Sequence, residues 1–114
     1  MIRQTIGTLL LMLFGSAPAA AGEQLGKVNG IWLHAYSSLS DMLITGTATN
    51  RPSCATEAYW KLDTGTPEGE RLLAALLTAS ASGTLVTIYG TGDCSLHPSR
   101  ETVAFVWFHP PGGL

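Results

Sequence analysis

The sequence predicts a mainly β domain with one helix, in the order β-β-β-α-β-β. That order implies a five-stranded OB-like Greek-key barrel, with an open α+β sandwich as the alternative. Two observations carry it: five segments rich in β-branched and aromatic residues, and one leucine-striped segment with helix caps between the third and fourth of them.

The chain opens on Met1-Ile2-Arg3-Gln4-Thr5, an apolar run from Ile6 to Phe14 and the exit Ser16-Ala17-Pro18-Ala19-Ala20-Ala21. A positive start, a short apolar centre and small residues at the exit define a secretory signal peptide. The 9-residue run is far short of the roughly 20 residues a membrane-spanning helix needs. Ala19 and Ala21 suit cleavage before Gly22, and Ala17-Pro18-Ala19 suits cleavage after Ala19 almost as well. The expectation is a signal peptide over 1–21 and one mature domain over 22–114, periplasmic or secreted, with no transmembrane segment. In such an oxidising compartment the only two cysteines, Cys54 and Cys94, are expected to form a disulfide. The closed loop would hold 41 residues, a crosslink of about 3–4 kcal/mol in the chain-entropy picture.

Within the mature domain, Lys27–Tyr36 alternates Ile31, Leu33 and Ala35 with Trp32, His34 and Tyr36, which reads as the first strand. Ser37–Asp41 reads as a polar hairpin connector and Met42–Thr49 as the second strand. Asn50-Arg51-Pro52-Ser53 is a turn, because Pro52 fixes its own φ and restricts Arg51. The third strand runs from Ala55 to Leu62. Thr66 then caps a helix over 67–82, Pro67 suits its first position, and Glu68 and Glu70 meet the positive end of its dipole. Leu72, Leu73, Leu76 and Leu77 form the apolar stripe, and Gly83 ends it. Thr84–Gly90 is the fourth strand, Gly90-Thr91-Gly92-Asp93 a turn that lets Cys94 reach its partner, and Glu101–Phe108 the fifth. His109-Pro110-Pro111 is expected to leave the sheet.

The block from Cys54 through Trp60 and Asp63, and then from Gly69 through Val86-Thr87-Ile88 to Cys94, resembles a group of small secreted bacterial proteins. More distantly it resembles the cell-binding B subunit of subtilase-type AB5 toxins. The shared text covers about 41 of the 93 mature residues and describes a scaffold. The resemblance implies an OB-like fold, the Cys54–Cys94 bridge and ring-shaped pentamers that bind glycans.

The mature chain carries five basic residues against eight acidic ones, for a formal charge of −3. A mildly acidic domain with dispersed cations is a poor polyanion binder, so nucleic acid is not an expected partner. His34, His97 and His109 lie far apart without metal-ligand spacing, and neither a metal nor a cofactor is expected. Ser37, Ser38, Ser40 and Asp41 put hydroxyls near a carboxylate but lack the surroundings of a nucleophile elbow. Asp63, Glu68 and Glu70 are explained by the helix start rather than by carboxylate-pair catalysis. No enzyme is expected. Trp60 is assigned to the core. Trp32 and Tyr36 on strand one, and Trp107 with Phe105 on strand five, exceed what so small a core holds. Trp32, Tyr36 and Trp107 are therefore the candidate binding residues. The functional expectation is a noncatalytic module for a glycan or an envelope or host protein, with an oligomer-forming envelope protein as the alternative.

Overall fold

A computed structural model describes residues 20–111. Apart from Ala20 and Ala21, the expected signal peptide lies outside the described residues. The elements are β1 (Glu23–Trp32), β2 (Leu39–Ile44), β3 (Trp60–Asp63), α1 (Pro67–Ser82), β4 (Leu85–Gly90) and β5 (Glu101–Phe108). The domain is mainly β with one helix, in the order read from the sequence. Its mixed sheet closes on itself in the order β1-β2-β3-β5-β4, with β3 and β5 parallel and the other pairs antiparallel. Closure excludes the open sandwich. It is possible because β1 is long enough to pair with β4 through Glu23–Lys27 and with β2 through Val28–Trp32.

The helix and the fifth strand have the bounds read from the sequence; the first three strands do not. β1 starts four residues early, since Glu23 and Gln24 already pair with β4, and it ends at Trp32, leaving His34 and Tyr36 in the β1–β2 loop. Trp32 and Tyr36 therefore do not share a strand face. Ser40 and Asp41, read as connector, belong to β2 and are buried. β2 stops at Ile44 because Gly46 turns the chain with φ 87°. β3 begins only at Trp60.

At the start of α1, Thr66 Oγ1 accepts a hydrogen bond from Gly69 N at 3.0 Å, with Pro67 in the first turn beside Glu68 and Glu70. A Cβ on Gly69 would collide with the Asp63 carbonyl, so the glycine lets the helix start close against the end of β3. Gly83 closes the helix in the left-handed conformation, φ 68°. The stripe facing the core is Leu76 and Ala79, both buried, with Leu72 partly buried against them, not the four leucines, and Leu77 is exposed. Spacing of four and three residues keeps one narrow face on the sheet.

The core joins Leu76 and Ala79 to Val28, Met42, Ile44, Trp60, Leu62, Val86 and Ile88. Trp60 is fully buried, as its sequence assignment required, and its indole N–H donates to Gln24 Oε1 at 2.8 Å. The Cys54–Cys94 disulfide is present, with Cα atoms 6.2 Å apart. It ties the β2–β3 loop to the β4–β5 loop rather than strand end to strand end. β5 ends at Phe108 as read, but His109 still docks on β4: its N–H donates to Leu85 O, and its buried ring bonds Thr87 Oγ1 at 2.8 Å.

Candidate ligand-binding site

Strand register builds the site. Trp32 on β1 stands opposite Asp41 on β2, and Asp41 stands opposite Lys61 on β3. Along β1, Gln24, Gly26 and Val28 point inward, so strict alternation would also aim Trp32 inward. A register shift between Val28 and Gly30 inserts one residue and reverses the faces. Trp32 is thereby turned out. Its ring lies back over Gly30, where a Cβ would meet it at 2.6 Å, and meets Tyr59 edge-on at a centroid distance of 5.3 Å.

Asp41 gathers the polar groups. His34 Nε2 lies 2.9 Å and Lys61 Nζ 3.1 Å from Oδ2, and Arg100 Nη1 donates to Oδ1 at 2.5 Å. Arg100 also donates through Nε to Glu57 Oε1 at 2.6 Å and lies over the Tyr59 ring, 4.4 Å from its centre. Ser99 Oγ donates to the other Glu57 oxygen at 2.9 Å. Burial alone would raise the Asp41 pKa, but the hydrogen bonds from His34, Arg100 and Lys61 together outweigh it and hold the carboxyl at about 2. Burial likewise opposes the Arg100 charge, while Glu57 and Asp41 more than compensate and raise its pKa. Glu57 is lowered by the hydrogen bonds from Arg100 and Ser99. Two carboxylates and two cations are thus fully paired before any ligand arrives.

Trp32, His34, Asp41, Tyr59 and Arg100 line a cleft of about 180 Å³. The Tyr36 ring stands beside it without lining it, 5.4 Å from the His34 ring and 87% exposed. Of the three candidate binding residues, Trp32 therefore lines the cleft and Tyr36 neighbours it through its contact with His34. Asp41, Glu57, Tyr59, Lys61 and Arg100 were not anticipated there. The signal available was the alternation of Asp41 with Ser40 and Met42, which marks it as outward on a strand once β2 is started at Leu39.

The third candidate, Trp107, lies elsewhere. A second register shift, between Tyr89 and Gly90 on β4, turns Phe105 and Trp107 outward on β5. With Tyr89, which stacks on Phe105 at 4.5 Å, and Leu25 on β1, they form an apolar outer face over β1, β4 and β5. A cavity of about 630 Å³ is a third region, an apolar groove between α1 and β5 lined by Leu62, Leu72, Val103, Val106 and Phe108 among others. It holds none of the Asp41 cluster. Among the described residues no group of three or more His, Cys, Asp or Glu is placed to hold a metal, and no helix is long and apolar enough to cross a membrane.

No protein-family model, curated protein or solved structure matches this chain.

Proposed function

We propose that the protein is a secreted or periplasmic noncatalytic module that binds a glycan at the Trp32–Tyr36 cleft. The observation that carries this is the pairing of two exposed rings, Trp32 at 42% and Tyr36 at 87%, with a prearranged set of planar polar groups at their feet. A sugar offers an apolar C–H face to such rings and hydroxyls to carboxylate, imidazole and guanidinium edges. The cluster favours binding over reaction: its carboxylates are held ionised by cations, and a general acid needs a raised pKa instead. Its cleft is smaller than the roughly 300–1,000 Å³ of pockets that enclose drug-sized ligands, which suits a terminal sugar with the rest of the chain on the surface. The position, on strands two and three with the β1–β2 and β4–β5 loops beside them, is where OB folds take oligosaccharides.

The test is a glycan array probed with the mature protein and with Trp32→Ala. Saturable binding to a glycan, lost in the variant while its thermal unfolding is unchanged, supports the reading; silence from a well-folded sample rejects it.

The outer face over β1, β4 and β5 favours a second reading, an oligomer-forming envelope protein. Phe105 and Trp107 are 58% and 55% exposed there, and contiguous apolar faces of this kind mark association surfaces. Sedimentation decides it: a monomer at the highest attainable concentration excludes this reading.

A further inference from the structure

Glu101, the first residue of β5, is fully buried, with no exposed surface. Its Oε2 accepts hydrogen bonds from Gly22 N at 2.9 Å and Gly92 N at 3.1 Å. Its Oε1 accepts none, and the nearest cation, Arg51 Nε, stops at 3.6 Å. Arg51 is held off by its other bonds, to the carbonyls of Glu57 and Tyr59, and by its seat over the Trp60 ring. A buried carboxylate with an unused oxygen is expensive, and the group it faces is the main chain at Gly22.

Gly22 is positioned without help from anything before it. Its carbonyl accepts from Gly90 N at 2.8 Å, and the next residue, Glu23, exchanges two hydrogen bonds with Thr49. Neither Gly22 nor Gly90 has room for a side chain, since a Cβ on either would run into the Glu101 carboxyl. Both glycines therefore leave space for one carboxylate.

We infer that Gly22 is the first residue of the mature protein and that its α-ammonium forms an ion pair with Glu101. The inference rests on the secretory part of the reading above and selects between the two cleavage positions that the leader allows. A signal peptidase breaks the Ala21–Gly22 amide with one water: the Ala21 carbonyl becomes the carboxylate that departs with the leader, and the Gly22 nitrogen takes up protons to become ammonium. An amide with one hydrogen is replaced by a cation with three, at the spot where Oε1 lacks a donor. Ala21 is exposed, and the Ala20 carbonyl lies over Gly92, so losing both residues opens the ammonium's remaining hydrogens to water. Cleavage after Ala19 instead leaves Gly22 as an ordinary amide and Oε1 without a donor.

The titratable groups facing this nitrogen are Glu101 from β5 and Arg51 from the β2–β3 loop; β4 contributes only Gly90 and the loop after it Gly92. The carboxylate lies between the two cations.

The test is to export the full precursor in bacteria, weigh the recovered protein, and compare acylation of its α-amine in the native and unfolded states. A mass starting at Gly22, with native acylation at least several-fold slower than unfolded, is the expected result. Glu101→Gln, if it folds, should remove that protection. A mass starting at Ala20, or an amine that reacts equally fast in both states, overturns the inference and leaves the secretory reading standing. An uncleaved precursor overturns both.

Discussion

Arg100 Nη1 and Asp41 Oδ1 meet at 2.5 Å across 59 residues of sequence, and the same guanidinium grips Glu57 through Nε while covering the Tyr59 ring. This contact joins β2 to the loop before β5 and shapes the floor of the cleft. The pair has one side chain nearly buried, Asp41 at 4%, and one at 21%, so its energetics are those of a partly desolvated ion pair rather than a surface one.

Acid should therefore weaken the domain through Asp41. Its folded pKa of about 2 lies below the ordinary 3.8, so its contribution is present above the unfolded value and lost as pH falls through about 2. The shift corresponds to about 2 kcal/mol. Urea unfolding from pH 5 down to 2 should show this loss, and Asp41→Asn should flatten it. At neutral pH the same variant leaves Lys61 and Arg100 without their shared anion and should cost about 3 kcal/mol. An unchanged acid limb in Asp41→Asn would show that other carboxylates govern acid stability.

Removing the disulfide with Cys54→Ser and Cys94→Ser should lower stability by about 3–4 kcal/mol, because the loop it closes is long. Calorimetry with and without reductant checks this. Identical melting temperatures would mean the crosslink constrains neither state.

Gly90→Ala should destabilise by about 2 kcal/mol or more. Its Cβ would enter the Glu101 carboxyl and come within 2.9 Å of the Trp60 ring, and both neighbours are fully buried. Denaturant midpoints measure the effect, and a neutral result would mean that Glu101 can leave its seat.

Thr66→Ala should cost about 1 kcal/mol by removing the cap on Gly69 N. Thermal unfolding followed by helical circular dichroism reads it out. Thr66→Ser, which keeps the hydroxyl, should recover most of the loss.

The chain alone determined the element order, the helix from Pro67 to Ser82, the fifth strand, the burial of Trp60 and the pairing of Cys54 with Cys94. Each is written in short-range chemistry: caps at Thr66 and Gly83, β-branched runs, or the arithmetic of two cysteines. Only the tertiary structure decided the faces of Trp32 and Trp107, because a single inserted residue in β1 and another in β5 reverse the alternation, and such a shift is set by the partner strand. It also decided the roles of Asp41, Glu57, Arg100 and Glu101. These charges are scattered along the sequence and gain meaning only when sheet closure brings β2, β3 and β5 side by side. Burial makes Asp41 and Glu101 dependent on distant partners, as far away as 79 residues for Gly22 and Glu101.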